Sequence, residues 1–111
     1  MNIRFLYFAD CPNSGPTLAN LRQALLELGL EAQPRLVRID SAEEAATTLF
    51  LGSPSILIDG VDLATGQAPR ENEGSYACRV YDVDGRETGI LPVPFIRRRL
   101  EAALEPRSLD A

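Results

Sequence analysis

The chain has 111 residues, of which 45% are hydrophobic and 24% are charged, and its formal net charge is −5. This length and composition predict one globular domain with a modest core, and the acidic balance argues against nucleic-acid binding. No stretch approaches the roughly 20 apolar residues of a membrane-spanning helix, so we expect no membrane association. Histidine is absent, so any chemistry must use thiols, carboxylates, hydroxyls, arginine or backbone groups.

The N-terminal part of the chain predicts a buried strand followed by an amphipathic helix. Residues 2–8 are mostly apolar, as in a strand that is covered on both faces. The helix is expected to begin near Ser14 or Gly15 and to end with Gly29 as its C-cap. Its apolar stripe consists of Leu18, Leu21, Ala24, Leu25 and Leu28.

A second strand and a second helix follow. The strand is predicted over residues 34–39, and Asp40 or Ser41 caps a helix that runs to about residue 49. Two strands joined by a helix in this way pair in parallel, because the connection must cross back over the sheet.

The next segment predicts a hairpin. Residues 52–54, Gly-Ser-Pro, interrupt the chain before the apolar strand 55–58. An Asp-Gly turn at residues 59–60 then leads into a short returning strand over residues 61–63. Hairpin pairing is antiparallel, so the whole sheet is expected to be mixed.

The segment after the hairpin permits two threadings. Residues 64–75 are rich in glycine and polar residues and predict a loop. Residues 76–81 predict a strand that ends in a turn over residues 82–85. Alternatively, residues 76–81 form the main fourth strand and residues 61–63 are only part of a loop.

The last element is predicted to be a helix over residues 93–104, followed by a frayed tail over residues 107–111. Its expected buried side consists of Phe95, Ile96, Leu100, Ala103 and Leu104. The predicted order is β-α-β-α-β-β-α in a single domain over residues 1–106. This order defines an α/β fold with a small mixed sheet and helices on both faces.

Cys11 lies between the first strand and the first helix, in the stretch Cys11-Pro12-Asn13-Ser14. Backbone N–H groups and the helix dipole favour an anion there, so the thiol should ionise more readily than a free cysteine. Ser14 either caps the helix or hydrogen-bonds the thiolate, and these two roles are compatible. Asp10, beside the thiol, would raise the pKa of the thiol by like-charge repulsion or accept a proton.

The element order, together with residues 11–14 and 52–60, resembles the thioredoxin-like superfamily in a domain of glutaredoxin size. The resemblance implies that Pro54 is cis and lies against the active thiol. With residues 77–81, Ala-Cys-Arg-Val-Tyr, the chain also resembles small bacterial thioredoxin-family proteins, some of which carry an alkylmercury-lyase label. A chain with two cysteines and no secreted disulfide framework is expected in the reducing cytoplasm.

The chain departs from the Cys-x-x-Cys motif of that superfamily, because Ser14 stands where the second cysteine would be. A Cys-x-x-Ser site attacks a disulfide and holds a mixed disulfide with a small thiol such as glutathione or with a client protein. Cys78 offers another route as a resolving thiol. If residues 61–63 form the fourth strand, Cys78 can approach Cys11. If residues 76–81 form the fourth strand, Cys78 lies at the opposite end of the sheet from Cys11.

We therefore expect a thiol–disulfide oxidoreductase that needs no cofactor and holds no metal. The catalytic residues would be Cys11, Ser14 and Cys78, and the substrate-binding residues Pro12, Asn13, Ser53 and Pro54. The backbone around Ser53 would pair with a thiol-bearing peptide or with glutathione. A structural zinc site is not expected in a chain with two cysteines and no histidine.

Two other functions remain open on the sequence. A non-catalytic binding module would hold a protein partner in the same groove or on the helix that carries Arg97, Arg98 and Arg99. Alternatively, Cys11 and Cys78 would hold a soft cation, mercury(II) or copper(I), in linear coordination. The alkylmercury-lyase label implies cleavage of a carbon–mercury bond as the corresponding reaction.

Overall fold

The computed structural model describes residues 1–70 and 74–104, which form six strands and three helices. The strands are β1 (Ile3–Tyr7), β2 (Arg35–Arg38), β3 (Ser55–Ile58), β4 (Val61–Asp62), β5 (Tyr81–Val83) and β6 (Arg86–Thr88). The helices are α1 (Ser14–Glu27), α2 (Ala42–Thr47) and α3 (Val93–Leu104). In this part of the chain no helix combines the length and the apolar character that crossing a bilayer requires.

Strands β1 to β4 form one mixed sheet in the order β2-β1-β3-β4. β1 pairs in parallel with β2, where Phe5 lies opposite Leu36, and antiparallel with β3, where Leu6 lies opposite Ser55. β4 closes the sheet by antiparallel pairing with β3. The antiparallel pairing of β1 and β3 brings the residues after β1 and the residues before β3 to the same end of the sheet.

Alternate residues of the two central strands pack into separate cores on the two faces of the sheet. On one face, Phe5 and Ile56 pack together with buried residues of α1 and α3. On the other face, Leu6 and Leu57 pack with Ala45 of α2. Successive strand residues point to opposite faces, so the apolar runs of β1 and β3 serve both cores. The predicted α/β arrangement, with a mixed sheet and helices on both faces, is confirmed.

The predicted end of α1 and the predicted start of α2 are also confirmed. Gly29 has a φ of 70° and its N–H donates to the Leu26 carbonyl at 3.0 Å, as in a helix C-cap. At α2, the Ser41 hydroxyl accepts from the Glu44 N–H at 3.1 Å. Both ends follow from side-chain and backbone preferences within a few residues.

The predicted strand over residues 76–81 is wrong. In this stretch Cys78 makes an isolated parallel bridge with Ser53, and a strand ladder begins at Tyr81. β5 then pairs with β6 in a separate two-stranded sheet, around a turn at Asp84 and Gly85. β6 was not predicted because its Arg-Glu-Thr sequence carries no apolar alternation. The order is therefore β-α-β-α-β-β-β-β-α, with β4 as the fourth strand of the main sheet.

Helix α3 has its predicted bounds, but its buried face is shorter than predicted. Ile96 and Leu100 are fully buried, and Phe95 packs against the same core. Ala103 and Leu104 are exposed instead, and Ala103 lines an open cavity of about 320 Å³ beside β4. The predicted tail over residues 107–111 lies outside the described residues.

Candidate functional site

Cys11 lies in the tight turn that joins β1 to α1. Its N–H donates to the Phe8 carbonyl at 3.2 Å, and its carbonyl accepts from the Ser14 N–H at 3.3 Å. The residue is 7% exposed. The turn therefore holds the sulfur near the surface, at the first turn of a 14-residue helix, with little contact to solvent.

The surroundings of Cys11 lower the pKa of its thiol. Burial acts in the opposite direction and raises this pKa, but four hydrogen bonds to the sulfur outweigh it. The donors are the Ser14 and Ser53 side chains, the Asn13 backbone N–H and the Cys78 thiol. When protonated, the Cys11 thiol donates to the Ser53 carbonyl at 3.6 Å. The site thus favours the thiolate, which is the nucleophilic form of cysteine.

Of the two roles considered for Ser14, the structure supports the hydrogen bond to the Cys11 sulfur and not the helix cap. The residue that precedes α1 is Asn13, whose side chain makes no capping hydrogen bond, and Ser14 is the first helical residue. The interpretation of Ser14 as a cap is therefore wrong. Its buried hydroxyl lies 3.1 Å from the Ser53 hydroxyl, and both hydroxyls contact the Cys11 sulfur. The Phe8 N–H donates to Ser53 Oγ at 3.3 Å and helps to fix this pair.

We expect a Ser14→Ala variant to raise the pKa of Cys11, because it removes a donor to the thiolate and leaves the burial unchanged. The pH profile of Cys11 alkylation should move to higher pH, and the rate at neutral pH should fall severalfold. Iodoacetamide labelling followed by mass spectrometry measures both. Ser41→Ala, at the start of α2, is the matched control and should leave the profile in place. An unchanged profile in Ser14→Ala would show that this hydroxyl does not act on the sulfur.

The Ser53–Pro54 peptide bond is cis, as the resemblance implied. Pro54 directly precedes β3, so it lies at the end of the sheet where β1 ends and Cys11 follows. The Pro54 carbonyl accepts a hydrogen bond from the Tyr81 hydroxyl. Burial is the main cause that raises the pKa of Tyr81 above its usual range, so this hydroxyl stays protonated and acts as a donor.

Cys78 lies directly beside Cys11. It forms the isolated bridge opposite Ser53, and residues paired in this way point their side chains to the same side. The Cys11 sulfur lies 3.6 Å from the carbonyl of Ser53, the residue that is paired with Cys78, and both cysteines are free. Desolvation and the neighbouring Cys11 charge raise the pKa of Cys78. The structure thus brings together one sulfur that favours the thiolate and one that favours the thiol.

Arg79 is held by a network of internal contacts. Its guanidinium makes a bidentate ion pair with Asp62, at 2.8 and 2.9 Å, and donates to the Ser55 hydroxyl at 3.2 Å. It also lies 4.3 Å from the centre of the Tyr81 ring. Sequence reasoning missed Asp62 and Tyr81. The sequence alternation gave no correct signal here, because it favours Tyr76, Cys78 and Val80 as the buried face, and these three residues are exposed.

The remaining predicted residues lie at the margin of the site. Pro12 and Asp10 are exposed, whereas Asn13 is half-buried and contributes its backbone N–H. Asp10 is not among the groups that shift the pKa of Cys11, so the repulsion expected from this carboxylate is not found. Across residues 1–70 and 74–104, no group of three or more cysteine, aspartate or glutamate side chains is placed to hold a metal ion.

Comparison of the chain with protein-family models, curated proteins and solved structures found no match. No activity, substrate or partner is therefore carried to this chain from a relative. The feature that bears on function is the contact between Cys11 and Cys78 at the end of the main sheet.

Proposed function

We propose that this protein is a thiol–disulfide redox protein of thioredoxin-like fold, with Cys11 as the nucleophile and Cys78 as the resolving thiol. The observation that carries the proposal is the position of Cys78, which pairs with Ser53 in an isolated bridge, while the Ser53 carbonyl lies 3.6 Å from the Cys11 sulfur. The pKa of Cys11 is lowered and the pKa of Cys78 is raised, each partly through the other thiol. The β2-β1-β3-β4 sheet order and the cis bond before Pro54 support the fold. Free thiols side by side suit a reducing compartment, so we place the protein in the cytoplasm.

The proposed reaction has two exchange steps. The Cys11 thiolate attacks a disulfide RSSR, forms a Cys11–SR mixed disulfide and releases RS⁻. The Cys78 thiol then loses its proton to solvent and attacks the Cys11 sulfur, which forms a Cys11–Cys78 disulfide and releases a second RS⁻. Overall, the disulfide is reduced to two thiols, and the two cysteines are oxidised by the same two electrons.

The raised pKa of Cys78 suits the resolving role. Before the first step, a protonated Cys78 donates to the Cys11 thiolate and does not compete with it as a nucleophile. After the first step, Cys11 carries no charge and the repulsion that disfavours a Cys78 thiolate is gone. The second thiol therefore becomes easier to ionise at the stage where it is needed.

The other site residues have supporting roles in this proposal. Ser14, Ser53 and the Asn13 N–H stabilise the thiolate of Cys11, both as the attacking group and when it is regenerated as a leaving group. Pro12 directly follows the nucleophile and is exposed, and Pro54 is buried at the same end of the sheet, where it precedes β3. The substrate partner is a small thiol disulfide, such as that of glutathione, or a client protein disulfide.

We expect a Cys78→Ser variant to stop after the first step. Treated with one equivalent of a small disulfide, the wild type should form an intramolecular Cys11–Cys78 bond, whereas Cys78→Ser should accumulate the Cys11 mixed disulfide. Intact-mass spectrometry with peptide mapping distinguishes the two products. Wild-type protein that also stops at the mixed disulfide, or that forms only intermolecular dimers, would contradict the resolving role.

A soft-metal function is the second candidate, and the same pair of sulfurs favours it. Two neighbouring thiols suit a soft cation in linear coordination, whereas the described residues provide no third ligand group. Mercury(II) titration of the reduced wild type, Cys11→Ser and Cys78→Ser decides this case. Stoichiometric binding that needs both thiols, in a protein that disulfides fail to oxidise, would favour metal binding over redox exchange.

A non-catalytic binding module is less well supported. Such a module has no need of an ionised thiol, whereas hydrogen bonds lower the pKa of Cys11 here. Arg97 and Arg98, proposed as partner contacts, are paired with Glu27 and Asp84, respectively.

A further inference from the structure

Residues 74–80, here called the covering segment, lie along the edge of the site formed by residues 50–53. The Ser75 N–H donates to the Phe50 carbonyl at 2.6 Å. The Ser53 N–H donates to the Ala77 carbonyl, and the Ser53 carbonyl accepts from the Arg79 N–H, both at 2.9 Å. The covering segment thus pairs with Ser53 as a short parallel strand would.

The covering segment is anchored at several points. The Tyr76 ring packs edge-on against Phe8, with 5.3 Å between the ring centres. Arg79 is held by its bidentate pair with Asp62. A Cβ on Gly52, which has a φ of 116°, would lie only 2.9 Å from the Arg79 Cβ. Gly52 therefore permits a close approach of the two backbones that other residues would obstruct.

The backbone groups beside Pro54 are consequently already used within the chain. Ser53 has both its N–H and its carbonyl bonded to the covering segment. The Pro54 carbonyl accepts from Tyr81, and the Gly52 carbonyl accepts from the Ser55 hydroxyl at 2.5 Å. A peptide that binds as an added strand needs free N–H and C=O groups on the edge, and at Ser53 it would have to displace the chain's own segment.

We propose that the covering segment restricts the oxidant of Cys11 to low-molecular-weight disulfides and excludes disulfide-bearing peptides from the edge at Ser53. The proposal rests on the redox function above and names the substrate class of that same site. A small disulfide needs access to the sulfur of Cys11, a residue that is 7% exposed, and it needs no backbone pairing. The exposed thiol of Cys78 then completes the exchange without departure of the covering segment.

The test compares two disulfide probes that share a mercaptoethanol half. One is hydroxyethyl disulfide, and the other is the mixed disulfide of mercaptoethanol with an extended cysteine peptide. Formation of the Cys11–Cys78 bond in reduced protein is followed by acid quench and mass spectrometry. Each rate is divided by the rate of the same probe with dithiothreitol, which removes the difference in intrinsic reactivity.

We expect the small probe to react at least about tenfold faster than the peptide probe in the wild type, because the peptide must break two backbone hydrogen bonds first. Tyr76→Ala removes the contact with Phe8. It should raise the rate of the peptide probe alone and so lower the ratio of the small-probe rate to the peptide-probe rate. Val80→Ala is the matched control, because Val80 lies in the same segment and is 64% exposed, and it should leave the ratio unchanged.

Two outcomes would overturn the proposal while the redox function stands. One is equal normalised rates for both probes in the wild type, and the other is a ratio that Tyr76→Ala leaves unchanged. If neither probe produces the Cys11–Cys78 bond, the redox function itself fails and the substrate restriction falls with it.

Discussion

A Cys11→Ser variant is expected to lose fast reaction with small disulfides, and the rate should fall to the slower rate of Cys78 alone. Serine does not ionise at neutral pH, so the stabilised anion of this site is removed. The remaining thiol is exposed and lacks the set of hydrogen-bond donors that stabilises the Cys11 anion, and a cysteine without such donors is mostly protonated at neutral pH. The release of a coloured thiolate from an aromatic disulfide, followed by stopped flow, measures the rate.

Cys78→Ser is the matched control for this experiment, because it removes the other cysteine and keeps the nucleophile. Its first exchange step should remain fast, because a serine hydroxyl can still donate to the Cys11 thiolate and the donors at Ser14, Ser53 and Asn13 are unchanged. Equal rates in wild type and Cys11→Ser would reject Cys11 as the nucleophile. A Cys78→Ser variant as slow as Cys11→Ser would instead assign the first attack to the pair of thiols acting together.

Arg79→Ala should have the largest effect on stability, with an expected loss of about 3–5 kcal/mol in the free energy of unfolding. The ion pair with Asp62 is buried, with side-chain exposures of 12% for Arg79 and 1% for Asp62. Loss of the guanidinium leaves the Asp62 carboxylate in the interior, where the Thr65 N–H is its remaining bonded donor among the described residues. Because small domains are stable by roughly 5–15 kcal/mol, such a loss is severe. Urea denaturation followed by circular dichroism measures it.

Arg98→Ala is the matched control for the stability prediction. Arg98 also forms an ion pair, with Asp84 at 2.9 Å, but both side chains are more than half exposed. Solvent screens such a pair, so its loss should leave the denaturation midpoint nearly unchanged. Similar midpoints for wild type and Arg79→Ala would contradict the expected contribution of the buried pair to the stability of the fold.

The helices and the main sheet were predicted well because their signals are local. The apolar stripe of α1, the cap at Ser41 and the Asp59–Gly60 turn each involve residues close together in the chain. The missed elements have weaker local signals. β6 is polar along its length and pairs with β5 across a short turn, so nothing in its three residues distinguishes a strand from a loop.

The buried face of α3 and the role of Ser14 were mispredicted for a different reason. Helical periodicity assigns Leu104 to the apolar side, but it carries no information on where the underlying core ends. Serine at a helix start is most often a cap, but here Ser53 lies close enough to compete for its hydroxyl. Both outcomes depend on neighbours from distant parts of the chain.

From residue order alone, Cys11 could be placed at the start of a helix and Pro54 before a strand, because strand, turn and helix preferences act over a few residues. The position of Cys78 could not be obtained in this way. The competing threadings differ in which segment pairs with β3, and that depends on long-range packing: Gly52 admits Arg79, and Asp62 binds it. These contacts join residues that are 17 or more positions apart, and they position Cys78 beside Cys11. They form only in the folded chain.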